Sequence, residues 1–80
     1  MTVEEQVKDI ASRIAHIDKS IISREATFKE MKADSLDVVQ ALVAVEETFD
    51  IEIPDEEAQK FRNFGDFVAF VEREAAKKKG

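Results

Sequence analysis

Residues 34–50 read DSLDVVQALVAVEETFD, and the order of side chains in this stretch sets what the chain can fold into. Val38, Leu42, Val45 and Phe49 recur at intervals of four and three, which places them on one side of a helix running from Leu36 to about Phe49. They are the expected core face. The opposite side carries Leu36, Gln40, Val43 and Glu47. Two of those four are aliphatic, which a face exposed only to water does not need, so it reads as an interaction face. Ser35 stands at the head of the helix. A serine ahead of an apolar-periodic run is ordinarily an N-cap, its oxygen accepting a backbone N–H. The same place also suits a phosphate group, because unpaired N–H groups and the helix dipole favour negative charge there.

Charge is segregated along the chain. Residues 33–59 hold nine carboxylates and no Lys or Arg, while the whole chain carries -6, so the rest sums to +3. Acid concentrated in this way is read by a basic partner surface. An acidic chain of pI about 4.7 is repelled by phosphate backbones, which argues against nucleic acid as a partner.

Working outward to the N-terminus, Val3, Val7, Ile10, Ile14 and Ile17 form one apolar stripe, and Thr2 with Glu5 makes a T-x-x-E capping box. The spacing predicts a first helix from Val3 to Ala15 or His16. His16, the single histidine, has no ligand partner nearby and reads as a surface or cap residue. Residues 17–33 lack a sustained period and read as a long ordered loop, pinned to the core by Ile22, Phe28 and Met31. Ser20, Ser23 and Thr27 compete there for backbone hydrogen bonds.

Towards the C-terminus, Asp50 ends the acidic helix, and Ile51 and Ile53 anchor the link that follows. Pro54 stops continuation, and Asp55, Glu56 and Glu57 open a short helix whose dipole favours them. Ala58 and Phe61 face inward. Asn63, with Asp66 three residues on, caps a last helix through Phe64, Phe67, Val68, Val71 and Ala75. Lys77, Lys78 and Lys79 suit its end and are expected to trail into solvent with Gly80, making 77–80 a flexible tail. The expected fold is all-α: a small antiparallel bundle of three main helices plus one short helix, with a long loop between the first two.

Eighty residues accommodate one core, so residues 1–80 are read as a single domain. Without cysteine there is no disulfide, thiolate nucleophile or cysteine-based metal site. No apolar run approaches the ~18 residues of a membrane span, and Glu4 and Glu5 leave no room for the basic region of a signal peptide. A cytoplasmic location is expected. Asp50-Ile51-Glu52-Ile53-Pro54-Asp55 alternates acids but lacks the glycine of a calcium loop, so no metal site is expected. Neither is a catalytic residue. Asp34 and Asp37 are too weakly basic to activate Ser35, and no His or Lys is placed to do so.

The run from Ala33-Asp34-Ser35-Leu36-Asp37, followed by Val45-Glu46-Glu47-Thr48-Phe49-Asp50-Ile51-Glu52-Ile53-Pro54-Asp55-Glu56-Glu57-Ala58, resembles the acyl carrier proteins of dissociated fatty-acid synthesis. The likeness covers nearly the whole chain. It implies that Ser35 receives a 4′-phosphopantetheine arm from coenzyme A, installed by a separate phosphopantetheinyl transferase that uses Mg²⁺. The terminal thiol of the arm would hold acyl groups as thioesters. Asp34, Leu36 and Asp37 would frame the attachment site. Gln40, Val43, Glu46 and Glu47, with Glu52, would meet Lys/Arg patches on successive acyl-processing enzymes. Val45, Ile53, Ala58 and Phe61 would line the acyl pocket, and a monomer would serve such a shuttle best.

Several positions depart from the family pattern. Met31-Lys32-Ala33 stands where Leu-Gly-Ala is usual, Gln40 and Thr48 stand where Glu is common, and Phe61 replaces a smaller aliphatic residue. These changes point to a specialised carrier of short or unusual acyl groups. The alternatives are an ordinary fatty-acid carrier, a discrete polyketide-type carrier, and a non-carrying acidic adaptor in which Ser35 only caps its helix.

Overall fold

The computed structural model describes residues 2–31 and 34–79. Four α-helices follow one another: α1 (Val3–Ala15), α2 (Ser35–Phe49), α3 (Asp55–Ala58) and α4 (Phe64–Lys79). No strand occurs among the described residues. The all-α expectation and the order of three long helices and one short one therefore hold.

Local chemistry explains each boundary. Thr2 Oγ1 accepts the Glu5 N–H at 3.1 Å and starts α1. His16 ends it in the left-handed region (φ 57°), its N–H donating back to the Ser12 carbonyl. Asp50 does the same for α2 (φ 54°), donating to the Glu46 carbonyl. Pro54 precedes α3, where a missing N–H costs nothing. Asn63 and Asp66 start α4 reciprocally: Asn63 Oδ1 accepts the Asp66 N–H at 2.9 Å, and the Asp66 carboxylate accepts the Arg62 N–H at 3.0 Å. α4 continues through Lys79, and within it Lys77 pairs with Glu74 at 3.1 Å and Lys78 with Asp50 at 2.5 Å. Gly80 lies outside the described residues, as do Lys32 and Ala33, where the departure from Gly falls.

The core forms where α1 packs on both α2 and α4. Val7, Val45, Phe64, Val68 and Val71 are fully buried at its centre. Burial of such side chains contributes roughly 1.5–3 kcal/mol each. The core face of α2 differs in detail from the periodic expectation. Ala41 and Val45 are its buried residues, while Val38, Leu42 and Phe49 are half-buried.

The loop between α1 and α2 is built from local polar bonds as well as apolar pins. A short 3-10 turn (Lys19–Ile21) is capped by Asp18, whose carboxylate accepts the Ser20 N–H at 2.9 Å. Thr27 and Glu30 make a second reciprocal box: Glu30 accepts the Thr27 N–H at 2.9 Å, and Thr27 Oγ1 accepts the Glu30 N–H at 3.1 Å. Ile22 and Met31 are buried and Phe28 is half-buried, as expected of pins. Two loop carbonyls then serve α4, because the Phe64 N–H donates to Ala26 O at 2.9 Å and the Gly65 N–H to Arg24 O at 2.8 Å. Arg24 also pairs with Glu4 on α1 at 2.7 Å and reaches Glu72 on α4 at 3.9 Å.

That seam makes Gly65 irreplaceable. A Cβ there would sit 2.7 Å from Arg24 O, a backbone atom that cannot swing aside. Gly65→Ala is expected to destabilise the fold by about 1–3 kcal/mol through this overlap, measurable by denaturant unfolding against a solvent-facing Ala control such as Lys60→Ala. Acid should also loosen these loop boxes. Backbone hydrogen bonds from Ser20 and Thr27 hold the Asp18 and Glu30 carboxyls below their ordinary values. A lowered folded-state pKa gives stability that is present above the unfolded value and lost as pH falls through the folded one. Amide exchange in residues 17–31 should therefore accelerate from about pH 5 downward relative to the centre of α4, after correction for intrinsic rates.

Candidate functional site

The N-terminus of α2 resolves how Ser35 is used. Asp34, in an extended conformation, is the cap: its Oδ1 accepts the Asp37 N–H at 2.9 Å and its carbonyl accepts the Val38 N–H at 3.0 Å. Ser35 is the first helical residue. The expectation that Ser35 caps its own helix is thus corrected, because Asp and Ser are both good caps and the chain enters the helix one residue earlier. The consequence is chemical. Ser35 is exposed, and its hydroxyl has no hydrogen bond to any described residue. The N–H groups of Ser35 and Leu36 belong to the first turn, where no carbonyl inside the helix can pair them.

An open groove begins at this serine. Phe28, Val38, Val39, Leu42 and Ala58 give it a largely apolar lining, with Asp55 and Gln59 at its edge. A phosphodiester at Ser35 fits this place. The oxygen is accessible, unpaired N–H groups lie beside it, and no buried group must be displaced. The described residues contain no cluster of three metal-ligating side chains.

Leu36, Val39 and Val43 leave 63%, 53% and 46% of their surface exposed, and Gln40 and Glu47 are exposed beside them. The face opposite the core is therefore an apolar stripe within an acidic border, and α2 carries no basic side chain. Val39 was not singled out from the sequence, although its spacing of three from Leu36 and four from Val43 was there to read. Thr48, at one of the departures, turns its hydroxyl onto its own helix and donates to Ala44 O at 2.8 Å.

The other expected site residues divide. Asp37 is half-buried, and Glu52 is exposed. Glu46 is half-buried, and its carboxylate accepts the Ile53 N–H at 2.8 Å, which ties the link after α2 back to the helix. Val45 and Ile53 belong to the buried core, with Ala58 and Phe61 packed against it. Of these four, only Ala58 lines the groove at Ser35.

Comparison with known proteins follows the same outline. Residues 5–71 match the family described as the phosphopantetheine attachment site. An acyl carrier protein of Helicobacter pylori is 42% identical over 73 residues, covering 90% of this chain and 94% of that one. An acyl carrier protein of Clostridium acetobutylicum is 47% identical over 70 residues, covering 86% and 91%. The solution structure of holo acyl carrier protein from Geobacter metallireducens superposes with a TM-score of 0.85 at 26% identity, over 98% of this chain and 91% of that one.

The Glu46 bond separates structure from recognition. Glu46→Ala is expected to cost about 1–3 kcal/mol, because the part-buried Ile53 N–H loses a charged acceptor. Glu47→Ala, on an exposed side chain, should stay within about 0.5 kcal/mol of the parent. Paired urea titrations of the two variants check this.

Proposed function

Because this chain belongs to the acyl carrier protein family, we propose that Ser35 is the residue to which its covalent 4′-phosphopantetheine is joined. The observation that carries this is the division of labour at the head of α2: Asp34 takes the capping hydrogen bond, and Ser35 is exposed, its hydroxyl making no hydrogen bond to any described residue. When bound, the group supplies a flexible thiol that holds an acyl chain as a thioester.

The residues around Ser35 present and orient. Asp34 fixes the first turn, so the Ser35 oxygen projects from a rigid helix rather than from a loop. The first-turn N–H groups favour an anionic substituent. Leu36 and Asp37 flank the serine in the next positions of that turn. Deprotonation of the hydroxyl falls to the phosphopantetheinyl transferase, whose reaction uses Mg²⁺ and coenzyme A. Members of this family are carriers rather than catalysts, in keeping with that arrangement.

The exposed side of α2 then serves as the docking face for enzymes of fatty-acid or related acyl metabolism. Leu36, Val39 and Val43 supply apolar contact, and Asp37, Gln40, Glu47 and Glu52 supply the polar border. Basic patches on the enzymes would be steered by this charge and released readily, because exposed ion pairs are weak and screened by salt. A monomer keeps the face open to each enzyme in turn. No helix among the described residues is long and apolar enough to cross a membrane, and a cytoplasmic site of action fits the enzymes proposed.

Intact-mass measurement decides the attachment. Incubated with coenzyme A and a promiscuous phosphopantetheinyl transferase, the unmodified protein should gain the mass of one phosphopantetheine group. Ser35→Ala should gain none while keeping its helical circular dichroism. Modification that persists in the alanine variant would sink the assignment.

A further inference from the structure

A second groove, sharing no residue with the one at Ser35, runs between α1 and α2. Ile10, Arg13 and Ile14 line it from α1, and Ala44 and Thr48 line it from α2. The lining is mainly apolar, with Ile10 buried and Ile14 and Ala44 half-buried. Ala44 and Thr48 continue, at intervals of four, the row that starts at the exposed Gln40, so the groove borders the exposed side of α2. Ala44 stands about 14 Å along the helix from Ser35, at 1.5 Å per residue.

Arg13 sets this groove apart. Its side chain is exposed and makes no hydrogen bond, ion pair or ring contact with any described residue. By contrast, Lys8, Lys19, Arg24, Lys60, Lys77 and Lys78 each pair with a carboxylate. Asp9, one turn back from Arg13 on α1, is held by Lys19. Across the groove Thr48 brings no charge, and its hydroxyl donates to Ala44 O at 2.8 Å. The dipole of α1 accounts for a cation in its last turn. It does not account for an unpaired one set on an apolar groove. A guanidinium offers a planar fork of donors that matches a carboxylate, and its stem covers apolar surface while the charge stays in water.

We propose that this groove is a docking site for the phosphopantetheinyl transferase of the same organism, which seats an apolar side chain beside Ile14 and Ala44 and pairs a carboxylate with Arg13. The transferase is the one partner that a modified Ser35 requires, so the inference rests on the Ser35 reading. A standard interface buries ~800 Å² on each partner, a patch about 30 Å across. One that includes Ser35 reaches the groove. The two signs of charge then fix how the carrier lies. Acids beside Leu36, Val39 and Val43 meet cations on the enzyme, and Arg13 meets an acid. Turned end for end, the carrier would bring like charges together.

The test measures the Kd of the purified transferase for the full-length unmodified protein at one low ionic strength, and follows arm attachment by intact mass. Arg13→Ala should raise Kd about two- to fivefold, the scale of one exposed ion pair. Arg13→Glu should raise it further. Thr48→Glu places a carboxylate across the groove, where it competes for the guanidinium, and should also raise Kd. The sign is diagnostic, because all three substitutions make the carrier more acidic. Steering by net charge alone predicts tighter binding to a basic enzyme surface. An Arg13→Glu variant that binds as tightly as the parent, or more tightly, overturns the proposal. So does a folded Thr48→Glu that does the same, which supplies an independent reading should Arg13→Glu fold poorly. A parent protein that acquires no arm would instead overturn the Ser35 reading, and the mass spectrum separates the two failures.

Discussion

The hydrogen bond from the Asp37 N–H to Asp34 Oδ1 is the constraint on which the site depends. It determines where α2 begins, and hence which side of the helix each later residue occupies. It also relieves Ser35 of capping. A side chain at the first helical position points away from the helix body, and a hydroxyl there is held by a regular backbone rather than by a mobile loop. The cap is itself anionic, which suits the positive end of the helix dipole. One carboxylate thereby stabilises the helix and leaves the neighbouring oxygen free for attachment.

The remainder of the fold compensates for what α2 gives up. Three aliphatic side chains on that helix stay in solvent, and its last turn carries no basic residue to offset the dipole. Lys78, from the end of α4, supplies that charge across space through its pair with Asp50. The pair holds the Asp50 carboxyl below its ordinary range, but it is exposed and so contributes little. Cohesion comes instead from the fully buried centre, to which α1 gives Val7, α2 gives Val45 and α4 gives Phe64, Val68 and Val71. A helix can display an apolar face when its neighbours bury enough to hold it.

Much of this was legible in the residues. Periodic aliphatics announced α1, α2 and α4, and Thr2, Pro54, Asn63 and Asp66 marked boundaries where the structure has them. Ser35 stood out because an acidic helix head with one hydroxyl is conspicuous. What was missed shares a physical cause. Asp34 and Ser35 are adjacent residues of nearly equal capping strength, so composition alone cannot say which one the backbone leaves extended. Ala41 counts weakly in any hydrophobic pattern, yet it is buried while Val38 and Leu42 are only half-buried. The Thr27–Glu30 box was visible as T-x-x-E but preceded no apolar run, so it was read as loop. The four-residue acyl pocket drew on family likeness, and which side chains border a void depends on tertiary packing that no local pattern encodes.

Charge count also overstates the surface available to a partner. Asp34 is committed to its cap, and Asp66 to the Arg62 N–H that starts α4. Glu46 faces inward far enough to hold the Ile53 N–H, fixing the turn that leads to Pro54 and α3. A carboxylate already accepting a backbone hydrogen bond has fewer lone pairs for an incoming Lys or Arg, and diverting it would loosen the chain it secures. Around α2, the exposed Glu47 and Glu52 and the half-buried Asp37 accept no such bond among the described residues, and Leu36, Val39 and Val43 stay exposed on the helix that carries Glu47. If the exposed side of α2 is the docking face proposed for it, the acids that bring a partner near and the acids that hold the fold together are largely different residues, and this separation would allow docking to be weak without the scaffold being weak.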